Sequence, residues 1–152
     1  MQVTRYIPLV LFIIAVFGGG SLIGSQTAPG EWYAALEKPW FDPPNWVFGP
    51  VWSVLYVIIA VAGWRIWIRQ RTGGAMTAWW VQLGLNFLWS PVFFTLHRPD
   101  WALVVILAML AAIVTFIPLA WNRDRIAAWL FVPYLAWVAF ATLLNGAIWW
   151  LN

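Results

Sequence analysis

The sequence predicts an all-α, polytopic membrane protein: a five-transmembrane-helix bundle with a long ordered loop between helices 1 and 2. Three observations predict it. Of 152 residues, 64% are hydrophobic and only 9% charged, with a mean hydropathy of +0.81, whereas an average soluble chain carries roughly a quarter charged residues. The charges sit in short gaps between five uncharged runs, residues 6–30, 43–64, 72–96, 101–122 and 126–152. Each run reaches the roughly 20 residues that a bilayer-spanning helix needs. Hydrocarbon tolerates only helices or closed barrels, and barrel strands alternate in polarity over about 10 residues. Runs such as Val104-Val105-Ile106-Leu107-Ala108-Met109-Leu110 do not alternate, so helices are expected.

Proline, glycine and charge signals place the spans near residues 6–23, 46–68, 76–96, 101–121 and 126–151, in one domain over 1–152. The first span has the Arg5 and the small residues near Gly18 to Ser25 of a signal peptide; the start at Met1 leads us to expect that it is retained. The capping loop, 25–45, sets Glu31, Glu37 and Asp42 among Trp32, Tyr33, Trp40, Phe41 and prolines at 39, 43 and 44. A merely flexible linker is neither so aromatic nor so stiff. An ordered flap is expected, with a helical turn around residues 32–36, over the outer end of the bundle. The other connections are short, so consecutive helices should run antiparallel side by side. Pro91, Pro118 and Pro133 each delete a helical hydrogen bond and should kink their spans. Gly20-Ser21-Leu22-Ile23-Gly24 matches GxxxG, a signal for close helix approach and for dimerisation.

The net charge of +3 could suggest a nucleic-acid partner, but the placement of the charges points to topology. With five spans, Arg5, Arg65, Arg69, Arg71, Arg123 and Arg125 fall on one side and Lys38 and Arg98 on the other. The positive-inside rule then puts the N-terminus in the cytoplasm and the C-terminus and capping loop outside. The expected partner is the lipid bilayer, with no nucleic acid; inner and outer membranes both stay open.

Absences prune the chemistry. No Asp or Glu lies inside any of the five runs, so a carboxylate proton relay has no residue to use. There is no cysteine and a single histidine, His97, so thiolate chemistry and the usual metal-ligand sets are missing. No metal and no required cofactor are expected. The lack of an internal repeat counts against an inverted-repeat transporter.

What stands out is Trp, 15 of them. Trp46, Trp64, Trp67, Trp79, Trp80, Trp101, Trp121, Trp129, Trp149 and Trp150 fall close to expected helix ends, as an interfacial belt does. Trp52, Trp89 and Trp137 lie deeper. Residues three, four and seven apart share a helix face. Phe48, Trp52, Tyr56 and Gly63 align on the second helix, Gln82, Asn86, Trp89, Ser90, Phe93 and His97 on the third, and Tyr134, Trp137, Ala141 and Asn145 on the fifth. Such mixtures of rings and polar groups suit a bundle interior better than lipid. Two readings stand side by side: polar glue, with Asn86 and Asn145 bonding between helices for about 1 kcal/mol each, or a small-molecule pocket with flat apolar walls and a few anchors.

Three stretches carry a family resemblance: Trp32-Tyr33-Ala34-Ala35-Leu36-Glu37-Lys38-Pro39 running to Pro43-Pro44 and Trp52; Gln82-Leu83-Gly84-Leu85-Asn86 to Trp89-Ser90-Pro91; and Val132-Pro133-Tyr134-Leu135-Ala136-Trp137 to Ala141-Thr142-Leu143-Leu144-Asn145. In this order they resemble the tryptophan-rich sensory protein family, whose mitochondrial relatives are the translocator proteins, once called peripheral benzodiazepine receptors. The resemblance implies a five-helix bundle, commonly a homodimer, that binds porphyrins such as protoporphyrin IX, or another hydrophobic small molecule, under the first loop. Carried to matching positions, the pocket would use Tyr33, Pro43, Phe48, Trp52, Asn86, Phe93, Trp137 and Ala141. Asn145 joins them from the fifth-helix stripe, and Lys38 as the cation for porphyrin propionates. The expected function is a membrane receptor or binding protein in tetrapyrrole sensing, transport or stress regulation. An enzymatic alternative is light- and oxygen-dependent porphyrin breakdown, described for some relatives, with Trp52 and Trp137 as catalytic, oxidisable indoles. A third reading is a structural membrane partner whose aromatic interior is packed solid.

Overall fold

The computed structural model describes residues 2–152, and the described chain is helical throughout its regular structure. Helix α1 (Val3–Ile13) passes through a π-helical turn, Ile14–Gly18, into α2 (Gly19–Gln26). A short α3 (Glu31–Ala35) lies in the capping loop, where the aromatic loop sequence predicted a turn of helix. Then come α4 (Phe48–Trp67), entered through a 3-10 turn at Asn45–Val47, and α5 (Gly74–Ser90), extended by a second π-helical turn, Pro91–Thr95. Helices α6 (Pro99–Trp121) and α7 (Arg125–Leu151) complete the bundle.

By length and composition four stretches could cross a membrane: Val3–Gln26, Asn45–Trp67, Pro99–Trp121 and Arg125–Leu151. The third span of the sequence reading, α5, is not among them, being 17 residues long and holding Gln82 and Asn86 on its buried face. Contacts order the helices as a closed ring: α1 packs on α4, α4 on α7, α7 on α6, α6 on α5, and α5 on α2. The main apolar core fills this ring around Ile59, Trp79, Met109, Phe116 and Phe131. A second cluster, with Tyr33, Phe93, Leu144 and Ile148, sits beneath the loop.

Two close approaches depend on glycine. A Cβ at Gly63 would collide with the Trp79 indole, whose Nε1 donates to the Ile59 carbonyl at 2.9 Å. A Cβ at Gly20 would collide with the Tyr56 ring. Gly20 of the GxxxG match therefore makes its close helix approach inside this chain, while Gly24 is exposed. The belt reading needs correction at two sites. Trp79 is 0% exposed and Trp64 is buried, its Nε1 donating to the Arg5 carbonyl at 3.0 Å. Trp46, Trp80, Trp101, Trp121, Trp129, Trp149 and Trp150 do face outward at helix ends.

At the arginine-rich end, Asp124 caps α7, accepting from the Ala127 N–H at 3.1 Å. It also pairs with Arg65 at 3.0 Å and Arg69 at 2.8 Å, tying α4 to the α6–α7 turn. Burial alone would raise its carboxyl, but the Ala127 hydrogen bond and the two guanidiniums hold it below the usual carboxylate value. A carboxyl lowered in the fold stabilises it above the unfolded value of about 3.9 and loses that contribution as pH falls further.

Acid titration of thermal unfolding should therefore show stability falling below about pH 4. Asp124→Asn, which keeps a capping acceptor but no charge, should lower the neutral-pH Tm and flatten this acid limb; a variant as acid-labile as the wild type would place the effect elsewhere. Gly63→Ala should cost about 1–3 kcal/mol by overpacking against Trp79. Gly84→Ala, where a Cβ meets nothing within 4 Å, should be neutral or stabilising in the same denaturation assay.

Candidate functional site

Where the two apolar clusters meet, a cavity of about 430 Å³ opens, within the range of about 300–1,000 Å³ common for small-molecule sites. Helix α4 supplies Phe48, Trp52 and Tyr56; α5 and its π-turn supply Asn86, Trp89 and Phe93; α7 supplies Trp137, Ala141 and Asn145. Tyr33 closes it from the loop, and Ile106 and Met109 of α6 form the rear wall. No Asp, Glu, Lys, Arg or His lines it among the described residues.

Hydrogen bonds fix these walls. Asn86 Nδ2 donates to Tyr134 Oη at 2.7 Å, and Tyr134 Oη donates to Gln82 Oε1 at 2.7 Å. Trp89 Nε1 donates to Asn145 Oδ1 at 3.0 Å, while Asn145 Nδ2 donates to the Pro99 carbonyl at 2.8 Å. The polar-glue and pocket readings thus describe the same residues. Trp137 differs from Trp89: its Nε1 is buried with no partner. That leaves a desolvated donor packed behind the cavity surface, a costly arrangement. Its ring meets Phe48 edge-on at 6.0 Å, and Trp52 lies 5.5 Å from Tyr56. The arrangement offers flat apolar surfaces, neutral anchors, and no general acid or base.

The loop is pinned over the cavity at several points. Trp32 stacks on His97 at 4.2 Å with 9° between planes. Tyr33 Oη donates to Asp42 Oδ1 at 3.2 Å. Burial first, then the adjacent Asp42 carboxylate, raises the Tyr33 phenol well above its ordinary range, keeping it a neutral donor. Asn152 exchanges two hydrogen bonds with the Glu37 backbone, at 3.1 and 2.9 Å.

Of the ten residues singled out from sequence, the structure brings eight to this cavity: Tyr33, Phe48, Trp52, Asn86, Phe93, Trp137, Ala141 and Asn145. Pro43 stays in the loop away from its wall. Lys38 is also outside, its Nζ donating to the Ala34 and Leu36 carbonyls at 3.4 and 3.2 Å and lying 4.7 Å from the Tyr33 ring centre. The short helix α3 leaves carbonyls free at its end, and a nearby lysine satisfies them. His97, expected on the inward stripe of the third helix, is exposed with φ of 53°. The π-turn before it rotates it off the stripe, toward Trp32. Sequence reasoning missed Ile106 and Met109 because α6 is apolar all round and shows no distinctive face. It also missed Thr27, whose Oγ1 lies 2.6 Å from Ser90 Oγ across 63 positions of sequence, a pairing that no local spacing signals.

The TspO/MBR family pattern matches residues 9–151. The chain is 38% identical to the tryptophan-rich protein TspO of Archaeoglobus fulgidus, over 100% of this chain and 99% of that one. It is 38% identical to a tryptophan-rich sensory protein of Cereibacter sphaeroides, covering 90% of this chain and 87% of that one. It is 36% identical to the human translocator protein, covering 95% and 89% respectively. With three long motifs, the helical ring and the match over nearly all of its length, this chain belongs to the TspO/MBR family of integral, multi-pass membrane proteins.

Proposed function

We propose that this protein is a five-span membrane receptor whose cavity binds porphyrins such as protoporphyrin IX, and related flat hydrophobic ligands. One observation carries the reading: eight residues chosen from sequence converge on a single uncharged, aromatic cavity. Stacking on its rings supplies affinity at about 0.5–1.5 kcal/mol per aromatic pair beyond area burial. Porphyrin carboxylates stay at the open side, near Ser21, Asn45 and Ser53, because no cation reaches the interior. An open cavity also counts against a purely structural partner with a solid interior.

The fifth span of this reading is α5 with its π-turn. Residues 74–95 rise about 33 Å at 1.5 Å per residue, enough for a hydrocarbon layer of about 30 Å. Its two amide side chains, Gln82 and Asn86, are buried against other helices and not turned to lipid. The arginine cluster at one end supports a cytoplasmic N-terminus.

A second reading has support from Trp52 and Trp137, since both oxidisable indoles line the cavity and would touch a photo-excited porphyrin held there. In that reading the receptor also degrades its guest in light and oxygen.

Protoporphyrin IX titrated into the purified protein should quench tryptophan fluorescence saturably. Trp52→Phe with Trp137→Phe keeps a ring at each site but trims its stacking area, and should weaken binding about fivefold; unchanged affinity would overturn the assigned pocket. Under illumination in air, the bound Soret band should bleach faster than that of free porphyrin if the second reading holds. Equal rates would remove it and leave the receptor intact.

A further inference from the structure

The cavity is roofed, yet it is not sealed. Its roof is held by the Trp32–His97 stack and by the paired hydrogen bonds between Asn152 and Glu37. Its side facing α2 and α4 is different. Helix α1 and the first π-turn pack along α4, but α2 packs on α5. Gly20 approaches α4 closely, against Tyr56. One turn later the helices have parted: a Cβ at Gly24, or at Gly49 opposite, would meet nothing within 4 Å. Ser21 and Ser53 complete this edge, and all four residues are exposed as well as lining the cavity.

Two contacts hold α2 away from α4. Gly19 lets α2 approach α5 so closely that a Cβ there would lie 2.9 Å from Phe87 Cζ. Thr27, which ends α2 by bonding back to the Ile23 carbonyl at 2.8 Å, reaches Ser90 at 2.6 Å. In a bilayer the outer side of the resulting slot lies along the spans, where a molecule dissolved in lipid can reach it.

We propose that the α2–α4 slot is a lateral door through which a flat, lipid-dissolved guest passes edge-first between bilayer and cavity, and that the Thr27–Ser90 pair props it open. This rests on the receptor reading above. Small residues at the slot set its width, and the pinned loop is a fixed roof. Charged groups of the guest trail at the polar rim during passage, since no residue of the slot carries charge to receive them.

The test uses the full chain in proteoliposomes, with protoporphyrin IX as probe and stopped-flow tryptophan quenching as readout. Gly24→Leu with Gly49→Leu adds bulk at positions where a Cβ meets nothing within 4 Å. Association and dissociation rates should both fall about tenfold, leaving Kd within about threefold. Thr27→Val should slow exchange in the same direction, and Thr27→Ser should restore it. Asn152→Ala, which frees the roof, should leave the rates unchanged. Unaltered rates in the double leucine variant at normal affinity would overturn the door. So would a Kd that weakens with dissociation unslowed, which would make these positions part of the seat, or faster binding in Asn152→Ala, which would place the route under the loop. Absence of saturable quenching in the wild type would instead sink the receptor reading, and this route with it.

Discussion

Hydrocarbon offers no hydrogen-bond partner, so each polar side chain carried into a bilayer-spanning bundle must find one within the protein. This chain meets that demand with few groups, each linking separate helices. Tyr134 Oη accepts from Asn86 and donates to Gln82, locking α7 to α5 at two levels. Asn145 takes the Trp89 indole proton and gives its own amide to the Pro99 carbonyl, so one side chain ties α5, α6 and α7. Rings held in this way cannot collapse inward to fill the space between them. The cavity is therefore a consequence of how the polar groups were satisfied, and Trp137 and Gln82, each with a buried nitrogen left unpaired, show where that satisfaction stops.

Backbone irregularity does the rest of the positioning. A π-helical turn adds a residue to one turn of helix and rotates everything beyond it onto a new face. The turn at Ile14–Gly18 redirects α2 toward α5, and the turn at Pro91–Thr95 directs Phe93 into the cavity while presenting His97 to the loop. A non-glycine residue at φ of 53° costs about 1–3 kcal/mol. Stacking with Trp32 is the contact that offsets it. Roof and wall thus share one origin, since the segment that brings Phe93 inward also anchors the loop above it.

This explains which parts of the site could be read from sequence. Stripes of ring and amide residues at helical spacing mark inward faces wherever a helix also has a lipid face, and α4, α5 and α7 were legible for that reason. Helix α6 has no such contrast, so Ile106 and Met109 gave no sign of their role. Charge misled at Lys38, where a lone cation in an aromatic loop looked like a partner for carboxylates. The carbonyls left free at the end of α3 are closer and take it first. Trp79 and Trp64 misled in the opposite sense. Position near a helix end suggested the belt, but a glycine opposite Trp79 and a backbone carbonyl beside Trp64 draw those indoles inward. Pairings such as Thr27 with Ser90 depend on which helices become neighbours, and local periodicity does not encode that.

Charge is distributed so that the two ends of the bundle and its middle select on different grounds. At one end Asp124 gathers Arg65 and Arg69 and leaves further arginines to face the membrane surface. At the other, Lys38 and Asp42 are spent on holding α3 and Tyr33. Between them the cavity carries none. Transferring an unpaired ion into such a space costs several kcal/mol even after relaxation, whereas a flat neutral ring system loses only its contact with lipid and gains fixed aromatic walls. Discrimination inside the cavity must then come from shape and planarity. Any ionised group on the guest acts only as an orienting handle, holding one edge at the rim while the ring lies within.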